Sequence, residues 1–220
     1  MKSECSVSSN LNYIVFSGPD GCGKTSLADA LQENLESAEV SVSRYEFSFR
    51  VLPSLSRLIG RKRINLSPAG QEGVGMVRPL TTARASLLAI WYGLDHVAGR
   101  FLLRSSTNAV SISARSYHDF FYQRAYLRAP RWLIRAFVWL GPKPSLLIVP
   151  IRSSQEIFSV KPELSPSEID LQYDRISAAL CMNEYFLRVD ASIGLAKTSA
   201  LIYAKTLEKL GTLNLSTDRE

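Results

Sequence analysis

Cysteine is scarce in this chain. There are three, Cys5, Cys22 and Cys181, odd in number, widely spaced and without a CxxC pair. That pattern argues against a disulfide framework and against a thiolate zinc site, and it fits a reducing compartment. Histidine is scarcer still, with His96 and His118 alone, which excludes a multi-histidine metal centre. Long apolar runs are also missing. The longest, near 146–151, is too short to cross a bilayer, and the apolar region 86–103 is broken by Asp95, His96 and Arg100. The first ten residues are polar and serine-rich, unlike a signal peptide. No internal repeat or low-complexity tract is present. The expectation is a soluble, cytoplasmic protein with no firm membrane signal.

What remains is ordinary globular material. The 220 residues make one domain, with a core over about 11–211, and 46% hydrophobic against 21% charged residues excludes collagen-like, coiled-coil and wholly disordered chains. The net charge of +6 favours phosphate-bearing partners or simple solubility. The basic run Arg61-Lys62-Arg63 reads as a solvated loop. A nucleic-acid site would need a wider basic face, so no nucleic-acid partner is expected.

Strand and helix signals alternate, which predicts an α/β fold with a five-stranded parallel sheet flanked by helices. Strands are expected at 13–16, 40–47, 109–113, 145–151 and 186–189. Helical spacing marks 24–36 through Leu27, Leu31 and Leu35. It also marks 82–104 through an apolar stripe of Leu87, Trp91, Leu94, Ala98 and Phe101. A short apolar helix is expected at 131–140, closed by Gly141-Pro142. Ser165-Pro166-Ser167-Glu168 has the spacing of a capping box and opens another helix. A last one should run over 193–210 to Gly211 and then fray beyond Leu213. The stretch 61–82, rich in Gly, Pro and cations, has little periodicity.

The chemistry is carried by Gly18-Pro19-Asp20-Gly21-Cys22-Gly23-Lys24-Thr25, which matches G-x-x-x-x-G-K-[ST] and sits between a strand and a helix. Such a loop turns its backbone N–H groups inward around a phosphate, at the positive end of the helix that follows. Lys24 supplies a point charge, Thr25 the expected Mg²⁺ ligand, and Gly18, Asp20, Gly21, Cys22, Gly23 and Ser26 complete the ATP-binding loop. No N-K-x-D base-recognition segment and no ABC-type signature occurs. Length and motif position favour a small-molecule kinase with a P-loop NTPase fold. Cys22 inside the loop invites a redox reading, but any small residue fits there.

The loop and the residues after it resemble the thymidylate kinase family. Residues 18–27 are similar to its phosphate loop. Arg115-Ser116-Tyr117-His118-Asp119 resembles the family's Asp-Arg-Tyr stretch, and Val160-Lys161-Pro162-Glu163-Leu164 resembles its Arg-Lys-x-Glu-Leu lid segment. The likeness is greatest to thymidylate-kinase-like proteins of bacterial surface-polysaccharide gene clusters, and extends loosely over 13–210. It implies Mg-ATP as cofactor and a small phosphate acceptor, dTMP-like, with a lid near 152–165. A homodimer is compatible with it. This chain departs from the family at Ala114, where an Asp is expected. It departs again at Ile151, where the fourth strand should end in Asp, at Val160, leaving Lys161 as the nearest lid cation, and near Gly93, where a phosphate-holding Arg should fall.

Arg115 follows a predicted strand end, where α/β sheets place their ligands, and reads as an acceptor- or phosphate-binding cation against a plain surface arginine. Asp119 is a carboxylate for a metal-bound water or an acceptor hydroxyl, against a helix cap. Arg50, Arg84, Tyr92 and Asp95 are acceptor-binding candidates. Trp132 and Trp139, with Arg128, Arg131 and Arg135, surround an apolar helix. That arrangement allows either an interfacial membrane contact or a core-facing helix with snorkelling arginines. The sequence thus points to an ATP-dependent phosphotransferase. A non-catalytic nucleotide-binding protein and a sugar or saccharide kinase are the alternatives.

Overall fold

The computed structural model describes residues 12–53, 80–105, 110–180 and 185–217, with side chains to Leu210. Arg61-Lys62-Arg63, Cys5 and Cys181 lie outside the described residues. Five parallel strands, β1 (Tyr13–Phe16), β2 (Val42–Tyr45), β3 (Val110–Ser113), β4 (Leu146–Ile151) and β5 (Phe186–Asp190), form one sheet in the order β2-β3-β1-β4-β5. β1 is central, with Ile14 aligned to Ile112 on one side and to Leu146 on the other. Its four residues are buried on both faces, which is why they read as a continuous apolar run rather than an alternation. The edge strand β2 is half-buried and shorter than expected. Phe47 has left the ladder to join an aromatic cluster with Tyr92 and Phe120.

Helices cover both faces. α1 (Lys24–Ser37) buries Leu27, Leu31 and Leu35 against β1, β3 and α6 (Leu195–Thr217). The long α2 (Thr82–Ser105) packs on α3 (Arg131–Leu140), and α4 (Ser154–Val160) packs on α5 (Pro166–Leu180). The Ser165 hydroxyl accepts the Glu168 amide at 3.3 Å, so the cap expected at the start of α5 is present.

Three helices also differ from expectation. The apolar stripe of α2 faces outward, with Leu87, Leu94 and Phe101 at least half exposed. Its inward face is Ala85, Ala89, Gly93, His96 and Gly99. A Cβ on Gly93 would lie 2.4 Å from the Phe137 ring, and one on Gly99 would lie 2.1 Å from Phe49. Small residues win this face because rings from neighbouring elements press onto the helix backbone. The last helix does not stop at Gly211 but continues to Thr217. Finally, the segment 154–160 is a helix, capped by Ser153 accepting from the Glu156 amide.

Candidate functional site

The order of the strands sets where a crevice opens. The chain leaves β1 towards β2 and leaves β3 towards β4 on the opposite side, so the segments after β1 and β3 diverge from adjacent strand ends. Open α/β sheets bind ligands at such a switch point. The 18–25 loop follows β1, and Arg115 to Tyr122 follow β3.

Within the loop, Gly18, Gly21 and Gly23 all have positive φ, of 151°, 92° and 97°. Only glycine adopts these without strain, so the motif's glycines are backbone requirements. At Gly23 nothing lies within 4 Å of where a Cβ would stand, and the loop is open to its surroundings there. Gly23 is also the N-cap of α1. Among the described residues no side chain caps this helix end, its first turn holds no acid, and the Thr25 and Ser26 amides have no partner. These amides form the positive end of a 14-residue helix.

Lys24 is almost fully buried and folds back over the loop. Its Nζ donates to the carbonyls of Gly18 and Pro19, each at 2.7 Å, and lies 3.4 Å from Asp20. Arg115 reaches the same Asp20 carboxylate at 2.5 Å, joining the segments after β1 and β3. Lys161 stands at the end of α4, its Cβ 3.2 Å from where a Gly21 Cβ would lie, and it pairs with Glu163 at 3.2 Å. Burial opposes ionisation of Asp20, yet Lys24, Arg115 and Lys161 together hold its carboxyl below the usual range. Burial likewise opposes the Arg115 charge, and Asp20 and Asp119 outweigh it.

Asp119 is wholly buried, and its two oxygens accept from the Tyr122 hydroxyl at 2.6 Å and from the Gln123 side-chain Nε2 at 3.1 Å. Burial pushes it up to about 6, against the pull of Lys24, Tyr122 and Arg115. The Tyr122 hydroxyl also accepts from the Gly18 amide at 3.1 Å, so Asp119 is tied to the first residue of the loop. Ala114, one residue before Arg115, is buried in the core between α1 and the sheet. Asp119 is therefore the carboxylate that the β3 end offers.

No protein-family model matches the chain, and no curated protein matches it.

The remaining candidates sort by geometry. Thr25 and Ser26 are exposed at the start of α1. Cys22 is buried, its Sγ 2.9 Å from where a Gly18 Cβ would lie, and burial pushes its thiol up, away from a reactive thiolate. Tyr92 is half-buried, edge-on to Phe47 at 4.9 Å. Asp95 is spent on structure: its oxygens accept the Phe49 and Leu52 amides at 2.7 and 2.9 Å, fixing the turn after β2. Arg50 is 75% exposed and paired with Glu46, and Arg84 is exposed at the start of α2. Among the described residues neither touches the Asp20 cluster.

Sequence reasoning missed Tyr122 and Arg152. Arg152 follows β4, donates to the Ala191 carbonyl at 3.5 Å, and lines a cavity of about 160 Å³ with Gly23, Ser26, Ala191, Leu195 and Thr198. A second cavity of about 450 Å³ lies on the other side of the same arginine, between the β4 and β5 ends. The signal for Arg152 was its position just past a strand's C-terminal end; Tyr122 had no local signal.

Proposed function

We propose that the chain is an ATP-dependent phosphotransferase with a P-loop NTPase fold, similar in kind to thymidylate kinase, acting on a small acceptor. The observation that carries this reading is the conjunction at 18–25. An uncapped helix start, three positive-φ glycines and a buried Lys24 stand beside Arg115 and Lys161. This donor set suits a polyphosphate: backbone N–H groups, a point charge and a planar guanidinium. For Mg²⁺ the protein offers the exposed Thr25 hydroxyl. Among the described residues no group of three His, Cys, Asp or Glu gathers to hold a metal, so phosphate oxygens and water would supply most ligands, as is usual for this ion.

Mg-ATP would supply the transferable phosphoryl group. Lys24 neutralises charge on the phosphates, and Lys161 adds a second cation from above Gly21. Arg115, on the acceptor side of the crevice, orients an anionic acceptor. Asp119, wholly buried with both oxygens occupied, would act as a positioning residue, holding the Tyr122 hydroxyl that accepts from the Gly18 amide. The nucleoside portion of the donor would lie towards the cavities beside Arg152, the smaller of which is lined by Gly23 and Ser26 of the loop.

A second reading, nucleotide binding without turnover, is favoured by Ala114 and by Val160, whose side chain is 69% exposed where a lid cation would stand. The two readings separate in one experiment. Mg-ATP titrated calorimetrically should bind wild type, and Lys24→Ala should bind at least tenfold more weakly at unchanged circular dichroism. A parallel screen for γ-phosphate transfer to dTMP, other nucleotides and sugars decides turnover. Equal ATP affinity in both proteins refutes the site; binding without transfer to any acceptor establishes the second reading.

A further inference from the structure

Between Asp119 and Glu156 the chain carries no carboxylate, yet it holds Arg124, Arg128, Arg131, Arg135, Lys143 and Arg152. At the centre of this stretch lies α3. Its inner face is satisfied: Ile134 is buried, Phe137 packs on Gly93, and Arg100 donates to the Leu140 carbonyl at 3.4 Å. Its outer face is apolar as well. Trp132 and Trp139 are 70% and 72% exposed, and Leu140 is 42% exposed. Seven residues are close to two helical turns, so the two indoles project from the same side, roughly 10 Å apart. Arg131 and Arg135, both exposed, flank them along one edge.

We propose that this outer face of α3 docks onto the surface of an anionic lipid bilayer. Tryptophan sits at the level of the headgroups, with its apolar ring inward, and arginine stems lie along apolar surface while the guanidinium meets phosphate. A short helix with a tryptophan-centred face edged by cations lies in the interface and does not span it. Spanning is excluded for α3 by its ten residues, and no helix among the described residues is long and apolar enough to cross. The missing carboxylates favour lipid over a second copy of this chain. An isologous contact centred on α3 would bring Arg131 and Arg135 of one copy towards the same cations of the other, and α3 and its flanking segments supply no acid to pair them. The net charge of +6 adds long-range attraction to an anionic surface.

The test is sedimentation of the full chain with phosphatidylcholine vesicles, with and without phosphatidylserine, read together with tryptophan emission. Wild type should partition at least tenfold more strongly onto the serine-containing vesicles, with a blue shift. Trp91 is half-buried on α2, so the double variant of Trp132 and Trp139, which retains it, reports its background emission. Trp132→Ser with Trp139→Ser should lose most of that binding. Arg131→Ala and Arg135→Ala should each weaken it roughly fivefold and leave circular dichroism unchanged, since both positions are exposed. No binding, equal binding to both vesicle types, or undiminished binding by the tryptophan variant overturns the proposal. So does a concentration-dependent dimer that the tryptophan variant abolishes, which would assign the face to a second copy.

Discussion

Lowering the pH from 7 to 5 should destabilise the fold by an amount that the buried histidines set. His96 and His118 are both buried, 6.1 Å apart ring to ring, and the Nε2 of each has no hydrogen-bond partner among the described residues. Burial pushes His118 down from 6.5 to about 4, and burial with the neighbouring His118 pushes His96 to about 3. Both are neutral when folded, whereas the unfolded chain protonates them below 6.5. Their depressed values therefore support the fold above pH 6.5, and that support is lost as the pH falls towards 4. At pH 5, which lies about 1.5 units below the unfolded value and above both folded ones, the loss is about 2 kcal/mol per histidine and about 4 for the pair. Asp119 works in the opposite direction, because its raised value penalises the folded state at neutral pH, and it returns about 1 kcal/mol as it protonates below pH 6. The net loss is about 3 kcal/mol. With an m-value of about 2 kcal/mol/M the urea midpoint should fall by about 1.5 M. Urea unfolding at pH 7, 6 and 5 measures this, and His118→Gln should remove about two-thirds of the net dependence. A wild-type midpoint unchanged between pH 7 and 5, or a His118→Gln protein with the full dependence, would refute the reasoning.

Two further outcomes follow from the site and the packing. Tyr122→Phe removes the hydroxyl that links Asp119 to the Gly18 amide and should cost about 1–3 kcal/mol; thermal unfolding at pH 7 reads it. Gly93→Ala should cost about 1–3 kcal/mol, because the added methyl meets the Phe137 ring and must separate α2 from α3; thermal unfolding reads it.

Local signals were faithful wherever a residue's role depended on near neighbours in sequence. β1 and α1 stand where their apolar runs put them, α3 has the predicted bounds, and α5 opens at its Ser165 cap. The loop glycines take the backbone conformations that their spacing requires. Periodicity failed on α2 because it weighs large apolar residues, whereas that helix buries alanine and glycine under the rings of Phe49 and Phe137. α4 was missed although Ser153 and Glu156 carry a capping signature, since seven residues are too few for a visible repeat. Asp95 looked available from its place off the stripe, and only the returning chain after β2 shows its oxygens occupied. Tyr122 touches the loop across 104 residues of sequence, a contact no window can register. Lys24, Asp20, Arg115 and Asp119 could be picked out singly, but their convergence is a property of the strand order.

The Asp20 carboxylate makes the loop at the end of β1 its own first counter-ion. Lys24 and Arg115 share this one carboxylate, which offsets part of their charge, so an arriving anion meets cations that already have a partner. Binding there is an exchange of one anion for another, not the filling of a bare positive site, and the net electrostatic gain is the difference between the two. Such an arrangement keeps two converging cations from repelling each other before ligand arrives. On the proposed function, an anion that displaced Asp20 would also release the link between the segments after β1 and β3, and so would couple the two sides of the crevice.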